Sequence, residues 1–322
     1  MTTVRVEAPA RLHMGMLDAA GAGPRRFGGL GVAVSRPAAV VEVSPGDGLT
    51  AEGPDAERAR AVAERCAGAF GLTAGVHVRV LEAIPAHVGL GSGTKLALAV
   101  AAGLAELAGR SPDPPAVAHA AGRGARSAVG LWTFALGGFV LEGGRRPGAD
   151  RPAPLLMRHA MPDEWRCVLA VPAAEPGLSG RAEEEAFARL RPDPARAAQI
   201  AQLVMTSLLP ALVERDLAEF GAALSAIQRL VGDAFAAVQG GTFHPRAGAL
   251  VETLLDLGAA GAGQTSWGPA VYGIAGSEEE GRALAAGLEP ELGGGGRVEV
   301  VGFDNEGARV RVQAIDAGEA RR

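Results

Sequence analysis

Residues 84–95 of the chain read Ile84-Pro-Ala-His-Val-Gly-Leu-Gly-Ser-Gly-Thr-Lys95, and an apolar run of Leu, Ala and Val follows them. The alternating run at 76–81 that precedes this stretch predicts a strand, and the apolar run predicts a helix. Three glycines allow a tight turn with bare backbone N–H groups, and the helix start adds unpaired N–H groups and a positive dipole end. This strand–loop–helix stretch therefore predicts a phosphate or pyrophosphate site. A turn that only caps the helix is the alternative.

The loop differs in spacing from a P-loop and from the dinucleotide-binding fingerprint. It ends at Lys95, which is the only lysine of the chain. A lysine inside a predicted anion loop is interpreted as a ligand of that anion. The alternative is chance, because a strong preference for arginine over lysine is typical of a GC-rich genome.

The composition restricts the class of protein. The 322 residues suffice for two domains, and a hydrophobic fraction of 48% supplies a buried core. A net charge of −5 and an aromatic fraction of 4% argue against nucleic-acid binding. The longest apolar run, Leu96 to Ala105, is too short to cross a bilayer, and the two cysteines share no metal-ligand spacing. We expect a soluble cytoplasmic protein whose partners are small molecules, not nucleic acids or membranes.

The order of predicted elements indicates an α+β protein with two halves. Residues 1–150 mix strands and helices and contain the anion loop and a second glycine-rich stretch at 122–130. Residues 151–322 contain more helix and a third glycine-rich loop at 258–269. The polar segment 143–154, rich in Pro and Gly, is the predicted boundary between a domain of residues 1–150 and a domain of residues 151–322.

The three glycine-rich stretches, in this order, resemble the GHMP kinase superfamily over nearly the whole chain. The superfamily motif Pro-x-x-x-Gly-Leu-Gly-Ser-Ser matches Pro85 and residues 89–92, with Gly93 in place of the second serine. The resemblance implies a ribosomal-S5-like N-terminal domain and a ferredoxin-like C-terminal domain. In the kinases, an aspartate seven residues before a Gly-Gly pair is catalytic, but Gly130 stands at that position here, and glycine cannot act as a base. A small-molecule kinase that uses ATP is therefore the alternative and not the leading hypothesis.

The other motifs resemble the non-kinase branch of the superfamily, the β-ribofuranosylaminobenzene 5′-phosphate synthases. The matching positions are Arg11, His13 and Asp18; residues 89–94, with Lys95 for a glutamine; Gly122-Arg123-Gly124 and Gly137-Gly138; residues 177–180 with Glu183 and Glu184; and Gly263, Gln264 and residues 266–269. This resemblance implies a C-glycoside synthase that couples 5-phosphoribosyl 1-pyrophosphate to an aromatic carboxylic acid. Pyrophosphate and CO2 are lost and a β carbon–carbon bond forms.

The acceptor is open within this family, which includes C-nucleoside synthases of the formycin and pyrazofurin type. Lys95 in place of the glutamine indicates divergence from the aminobenzoate enzymes, so we expect a pyrazole dicarboxylate, as in C-nucleoside antibiotic biosynthesis. The alternative is 4-aminobenzoate or 4-hydroxybenzoate, as in methanopterin biosynthesis. A nucleotide-binding regulator without catalytic activity is a further alternative.

The candidate site residues follow from this reaction, in which departing pyrophosphate needs fixed donors. The residues expected to bind phosphoribosyl pyrophosphate are Gly89, Leu90, Gly91, Ser92, Gly93, Thr94, Lys95, Arg123, Arg126 and Ser127. The expected catalytic residues are Lys95, His13 and Arg11, and the expected acceptor-binding residues are Arg26, Gln264, Ser266 and Trp267. Glu183 and Glu184 are expected to bind Mg²⁺ together with pyrophosphate, no ATP is expected, and the protein is expected to be a homodimer.

Several of these assignments have a structural alternative. Arg123 and Arg126 fit a solvated loop as well as a grip on phosphate or carboxylate. His13 fits a structural histidine, and Trp267 fits core packing as well as stacking on an aromatic acceptor. The glutamates fit the solvated first turn of a helix.

Overall fold

The computed structural model of the chain describes residues 2–73 and 75–314. The elements of the first half are β1 (Thr2–Asp18), β2 (Phe27–Pro45), β3 (Leu49–Glu52), α1 (Ala56–Phe70), β4 (Val76–Glu82), α2 (Ser92–Leu107), α3 (Pro114–Ala120), α4 (Val129–Leu136), β5 (Phe139–Glu142) and β6 (Leu155–His159). Those of the second half are β7 (Arg166–Val171), α5 (Gly180–Arg189), α6 (Pro194–Leu203), α7 (Leu209–Glu214), α8 (Leu217–Gln239), α9 (Ala247–Asp256), β8 (Gly261–Gln264), β9 (Val271–Ala275), α10 (Glu278–Leu288), β10 (Arg297–Val301) and β11 (Arg309–Ala314). The strand and helix predicted on either side of the anion loop are β4 and α2.

The first sheet has the strand order β11-β1-β2-β4-β3, and β5 pairs with both β2 and β6. All its pairs are antiparallel except β3–β4. The alternation of buried and partly exposed residues in β1 places Val4, Val6 and Ala8 in the core. Helix α2 covers this face and packs on β1 and β2, because its Leu, Ala and Val side chains form an almost wholly apolar surface.

The second sheet has the strand order β10-β7-β9-β8, with antiparallel pairs throughout. The first and third strands of this half, β7 and β9, lie at its centre, and helices separate β7 from β8 and β9 from β10. This is the βαββαβ arrangement of ferredoxin-like domains. The α+β fold with two differently built halves is confirmed.

The boundary between the halves lies beyond the predicted residue 150. Strand β6 follows that residue but pairs with β5 in the first sheet. Strand β11 returns from the second half and pairs with β1 from Thr2↔Ala314 to Glu7↔Arg309. The first sheet is therefore completed by the last described strand.

One helical segment among the described residues, Pro194–Glu214, is long and apolar enough to cross a membrane. One such helix is weak evidence for a membrane span, because core helices of soluble proteins are often as long and as apolar. Its inner residues Ile200, Val204 and Leu208 are buried, and α6 and α7 pack on α8. Solubility and cytoplasmic location stay predictions.

The first of three hydrophobic clusters among the described residues joins the halves. It runs from Met14 and Leu30 of the first sheet to Phe220, Leu224 and Ile227 of α8. Above this core, the end of β1, the β4–α2 loop, the β8–β9 loop and the start of α5 come together. These four segments carry most of the residues singled out in the sequence.

Candidate functional site

A cavity of about 390 Å³ lies where these segments meet, and we call it the arginine cavity. Its lining residues from the first half are Arg11, Arg58, His87, Gly89, Gly91, Ser92, Gly93, Thr94, Arg123 and Arg126, and those from the second half are Leu178, Ser179, Gly180, Glu183, Ser266, Trp267 and Gly268. All three predicted glycine-rich regions therefore contribute to one cavity.

The anion loop is held by close backbone contacts. Gly89 has a φ of 92°, and a Cβ there would lie 2.1 Å from the carbonyl oxygen of Thr265. The Thr265 hydroxyl donates to the Gly89 carbonyl at 2.9 Å and accepts from the His13 N–H at 2.9 Å. Only glycine permits this approach, so the first and third glycine-rich loops fit together at Gly89.

Helix α2 begins at the cavity wall. Its N-cap is Gly91, with a φ of 80°, and no side chain in the described part of the chain caps it. The residues of its first turn, 92–94, line the cavity. Unpaired N–H groups and the positive helix end at this wall favour an anion.

Four arginines surround the same space: Arg11, Arg58, Arg123 and Arg126. Burial lowers the pKa of Arg123, and the charges of Arg58, Arg65 and Arg126 lower it further. Its Nε is buried without a hydrogen-bond partner among residues 2–73 and 75–314. Arginines that repel one another, one of them with an unpaired buried Nε, favour a ligand with several negative charges.

Arg11 supports the anion loop from below. Its Nη1 donates to the Gly89 carbonyl, and a Cβ at Gly91 would lie 3.2 Å from its guanidinium carbon. Burial lowers the pKa of Arg11 to about 10, and Glu183 opposes that shift. Arg11 thus both shapes the loop and borders the cavity, whereas its catalytic role stays a prediction.

Glu183 is the one carboxylate among the described lining residues. Its Oε2 pairs with Arg126, and its Oε1 accepts from the Trp267 indole N–H at 3.0 Å. Glu184 is exposed and lies 3.7 Å from Arg126. The described residues contain no group of three or more His, Cys, Asp or Glu arranged for a metal ion. With both Glu183 oxygens occupied, this pair does not fit a ready-made Mg²⁺ site.

The structure removes Lys95 from the proposed site. Its side chain is fully buried, its Nζ donates to the Thr133 hydroxyl at 3.0 Å, and it lies 5.9 Å from the centre of the Phe134 ring. Burial lowers the pKa of Lys95 well below its usual value. Lys95 follows Thr94 in sequence, but a helix turns by about 100° per residue, so it faces the core beneath the loop and not the cavity.

A second, smaller cavity of about 40 Å³ adjoins the first through Ser266 and Trp267, and we call it the aromatic cavity. Its other lining residues are His13, Gly15, Met16, Phe187, Gln228, Val231, Gly232, Phe235, Gln239, Thr242, Phe243 and Gln264. Trp267 contacts Phe187 and Phe235 edge-on, with ring centroids 5.4 and 4.7 Å apart. Trp267 therefore belongs to a packed aromatic cluster and also forms the wall between the cavities.

Besides Lys95 and Glu184, three predicted ligands lie outside both cavities. Leu90 is buried in the core beneath the loop. Arg26 stacks over Phe27 at 5.3 Å and donates at 3.5 Å to the carbonyl of Phe187, which lines the aromatic cavity, but Arg26 itself does not line that cavity. The Ser127 hydroxyl lies 3.0 Å from Nε2 of His13 and is engaged there.

His13 borders the aromatic cavity and is almost fully buried. Burial, with a smaller contribution from Arg11, lowers the pKa of His13 to about 3. The imidazole is therefore neutral near pH 7, and it can accept or donate a hydrogen bond without carrying charge.

Two functional candidates were missed in the sequence. Arg58 lies on α1, where it is one of several arginines with no motif around it. Glu142, at the end of β5, is fully buried and receives the N–H groups of Gly144 at 2.7 Å and Ala128 at 3.3 Å. Neither position carried a motif, and each is distinguished by a contact with another segment: Arg58 lies beside Gly93 at the start of α2, and Glu142 accepts from Ala128.

Gly130 lies against the anion loop. A Cβ at Gly130 would be 2.9 Å from Cγ2 of Thr94. Gly130 therefore lies beside the anion loop, at the position where the GHMP kinases have their catalytic aspartate. This position has no carboxylate here, and Thr94 leaves no room for one.

Comparisons with known proteins agree with this architecture. Residues 57–138 match the N-terminal domain of GHMP kinases, and residues 208–293 match the GHMP kinase C-terminal domain. The chain is 32% identical to the β-ribofuranosylphenol 5′-phosphate synthase of Methanothermobacter thermautotrophicus, over 94% of this chain and 97% of that protein. It is 33% identical to the protein of the same name from Archaeoglobus fulgidus, over 90% and 91% of the two chains.

Solved structures with the same fold include two kinases. The homoserine kinase of Cytophaga hutchinsonii has a TM-score of 0.74 and 19% identity, covering 96% of this chain and 97% of that one. The mevalonate kinase of Methanococcus jannaschii has a TM-score of 0.71 and 12% identity, covering 94% and 98%. At these identities the likeness shows the fold alone.

Proposed function

Because the chain belongs to the β-ribofuranosylphenol 5′-phosphate synthase family, in the non-kinase branch of the GHMP superfamily, we propose that it is a phosphoribosyl-pyrophosphate-dependent C-glycoside synthase. The bond from C1 of the ribose to pyrophosphate breaks, and C1 bonds to the carboxyl-bearing carbon of an aromatic acid. The bond from that carbon to its carboxylate then breaks, CO2 leaves, and the electron pair restores the aromatic ring. The products are pyrophosphate, CO2 and the aromatic ring joined by a carbon–carbon bond to C1 of the ribosyl phosphate.

The observation that carries this proposal is the contact between two unlike cavities. The arginine cavity supplies four guanidinium groups and a helix start for a polyanion. The aromatic cavity shares Ser266 and Trp267 with it. A phosphorylated ribose in the first cavity and an aromatic ring in the second would meet at this shared wall, which is the proximity that the reaction needs.

The arginine cavity suits the departure of pyrophosphate. Negative charge grows on the leaving group as the C1–oxygen bond breaks, and fixed N–H and guanidinium donors stabilise that charge without reorganisation. Arg123 and Arg58 flank the helix start, since a Cβ at Gly93 would lie 2.5 Å from Arg58 and 3.6 Å from Arg123. No acid–base pair is required, because loss of CO2 replaces deprotonation of the ring.

For the acceptor we propose 4-hydroxybenzoate. The name shared by the relatives specifies a ribosylated phenol, which supports this alternative over the pyrazole dicarboxylate expected from Lys95. Because Lys95 is buried away from both cavities, its difference from the family's glutamine no longer argues for another acceptor.

Mg²⁺ dependence stays a prediction, and no step here passes through a metal. The carboxylates first assigned to the metal are engaged by Arg126 and Trp267. Comparing turnover in chelated buffer with turnover after Mg²⁺ is restored tests the prediction.

The test is to incubate the protein with phosphoribosyl pyrophosphate and, separately, 4-hydroxybenzoate, 4-aminobenzoate and a pyrazole dicarboxylate. Mass spectrometry of the product and release of pyrophosphate are followed together. We expect a product with 4-hydroxybenzoate that has gained the phosphoribosyl group and lost CO2. Product from the pyrazole acid alone would overturn the acceptor, and no product from any acid would overturn the proposed function. Transfer of labelled phosphate from ATP in the same protein would instead support the kinase alternative.

A further inference from the structure

Helix α5 borders both cavities through two side chains. Glu183 lines the arginine cavity, and Phe187, four residues later, lines the aromatic cavity. Residues four apart lie on the same face of an α-helix, one turn from each other. The helix therefore connects the place where a polyanion would bind with the place where an aromatic ring would bind.

Helix α5 is held by a small apolar contact. Of its ten residues, Ala186 and Phe187 are buried, and the others are half-buried or exposed. These two belong to a hydrophobic cluster distinct from the one that joins the halves, and its other buried members are Ala19, Phe27, Phe235 and Trp267. An element with few buried apolar contacts moves at a lower cost in free energy than the core does. The position of α5 therefore depends strongly on its polar contacts.

Glu183 makes the polar contact that joins the two cavities. Its Oε2 pairs with Arg126, and its Oε1 accepts from the indole N–H of Trp267 at 3.0 Å. The Trp267 ring packs edge-on against Phe187, with the ring centroids 5.4 Å apart, and lines both cavities. One carboxylate thus ties an arginine of the first cavity to the aromatic wall of the second.

A polyanion in the arginine cavity disfavours this contact. Glu183 is the one carboxylate among the described lining residues, and its charge repels a phosphate placed beside it. The same phosphate competes for Arg126, because a guanidinium binds phosphate oxygens bidentately. The side chains of Arg126 and Glu183 keep 35% and 23% of their surface exposed, and an ion pair with that much exposure is weak. A ligand with several negative charges can therefore replace Glu183 as the partner of Arg126.

We propose that Glu183 is a positioning residue that keeps the aromatic cavity closed until a polyanion occupies the arginine cavity. When phosphate oxygens bind Arg126, Glu183 leaves the guanidinium and its hold on Trp267 weakens. Helix α5 then shifts, and Phe187 separates from Trp267 to admit the aromatic acid. Such a movement is needed because the cavity, at about 40 Å³, is too small for an aromatic ring. The inference deepens the proposed function and rests on it for the identity of both ligands.

The first test follows Trp267 directly and uses inorganic pyrophosphate, which binds without turnover. Protein with 5-fluorotryptophan at its three tryptophan positions is examined by ¹⁹F NMR, and the Trp267 signal is assigned by its loss in Trp267→Phe. We expect saturating pyrophosphate to shift this signal. The signals of Trp132 and Trp165, which lie outside the described lining of both cavities, should stay in place. Pyrophosphate that binds by calorimetry without moving the Trp267 signal would overturn the proposal.

The second test is Glu183→Gln, with Glu185→Gln as the matched control. Glutamine keeps the size of the side chain and an acceptor oxygen, but it lacks the charge that holds Arg126 and repels a polyanion. We expect pyrophosphate to bind Glu183→Gln about three- to tenfold more tightly than the unmodified protein. The Trp267 signal of this variant should lie near its pyrophosphate-bound position before any ligand is added.

The control separates this role from a structural one. Glu185 lies on the same helix and pairs with Arg181 at 2.8 Å, outside the described lining of both cavities. Glu185→Gln removes the same charge, and the dissociation constant of pyrophosphate should stay within about twofold. A glutamate that only supports the fold would weaken binding when it is replaced. Unchanged or weaker binding of pyrophosphate to folded Glu183→Gln would therefore contradict the proposal.

The third test measures the coupling between the cavities. Couplings between two sites typically range from about 5- to 150-fold in affinity. We expect 4-hydroxybenzoate to bind the unmodified protein about tenfold more tightly with saturating pyrophosphate than without it. In Glu183→Gln the acid should bind tightly without pyrophosphate, so that this ratio falls to about two. The same ratio in both proteins would show that Glu183 does not connect the cavities.

The outcomes also separate the coupling from the proposed function. Turnover of 4-hydroxybenzoate with a Trp267 signal that ignores pyrophosphate would overturn the role of Glu183 and support the proposed function. A Trp267 signal that responds to pyrophosphate, in a protein that neither binds nor turns over any of the three acids, would overturn the proposed function and support the release of Trp267 by Glu183. No binding of pyrophosphate or phosphoribosyl pyrophosphate would overturn both.

Discussion

The arginine cavity and the aromatic cavity differ in how ready they are for a ligand. The first, at about 390 Å³, already has room for a ligand and is lined by four arginines, of which Arg123 has a buried Nε without a hydrogen-bond partner among the described residues. The second, at about 40 Å³, is well below the roughly 150 Å³ of an engineered cavity that holds benzene. For the proposed substrates, this difference predicts that phosphoribosyl pyrophosphate binds to a preformed site without the acceptor present. It also predicts that binding of the aromatic acceptor requires Phe187, Phe235 or Trp267 to move.

The largest expected effect comes from removing charge at the preformed site. We expect Arg123→Met to lower kcat/KM for phosphoribosyl pyrophosphate about 100- to 1000-fold, or roughly 3–4 kcal/mol, because a fixed donor to the leaving group is lost. Steady-state kinetics with varied phosphoribosyl pyrophosphate measures it. Arg65→Met is the control, because Arg65 adds charge nearby but does not line the cavity. Equal losses in both variants would mean that net charge matters and the position of Arg123 does not.

The next effect concerns the charge of His13, which borders the aromatic cavity. The pKa of His13 falls to about 3 on folding, below its usual 6.5, so the unfolded chain takes up a proton that the folded chain refuses. The protein should therefore lose stability as the pH falls from 6.5 toward 3, and His13→Gln should lack this part of the loss. Between pH 6.5 and 4 the difference in unfolding free energy between the two proteins should change by about 3 kcal/mol in favour of the variant. Urea denaturation at several pH values measures this difference, and a constant difference would mean that His13 is charged in the folded protein.

A smaller effect tests the wall between the cavities. Trp267→Phe removes the indole N–H that donates to Glu183 but keeps an aromatic ring in the cluster. We expect a loss of about 1 kcal/mol in unfolding free energy. We also expect a KM for the acceptor that changes about three- to tenfold, and a KM for phosphoribosyl pyrophosphate that changes less. The reverse order of the two KM changes would show that Trp267 acts mainly through Glu183 and Arg126 in the arginine cavity.

The smallest effect on catalysis is expected from Lys95→Met. Because Lys95 borders neither cavity, kcat/KM should stay within about threefold of the unmodified protein. Its stability should differ in a pH-dependent way, since the pKa of Lys95 is depressed on folding. The unmodified protein loses stability as the pH falls below 10.5 and the unfolded chain binds the extra proton, and the variant should not show this loss. A hundredfold fall in kcat/KM in stable Lys95→Met would return Lys95 to the site.

The sequence was sufficient where one local segment determines the structure. The alternation at 76–81, the glycines of the anion loop and the apolar run after Lys95 predicted β4, the turn and α2 correctly. The sequence was insufficient where the orientation of a side chain depends on the rotation of a helix, or where its role depends on contacts with a distant segment. The orientation of Lys95 depends on which face of α2 meets the sheet, and nothing in α1 separates Arg58 from the arginines around it.

Glu142 illustrates the same limit at a buried site. It follows three apolar residues of a four-residue strand, and no motif includes it. Its buried carboxyl group accepts one local N–H, that of Gly144, and one from Ala128 of another segment, which the fold brings within hydrogen-bonding distance. The position of Arg26 likewise depends on distant contacts, because its side chain lies over Phe27 and donates to the carbonyl of Phe187 in the second half.

The pairing of β11 with β1 has a consequence for biosynthesis. Strand β1 is made first, but its outer edge is covered only by β11, nearly three hundred residues later. While the ribosome is still producing the second half, the nascent first sheet exposes an unpaired edge to other chains. We expect chains shortened before residue 309 to aggregate, even though both cavities keep every lining residue. The exposure of the sheet edge to aggregation therefore ends when β11 is released from the ribosome, and not when the residues of the site are complete.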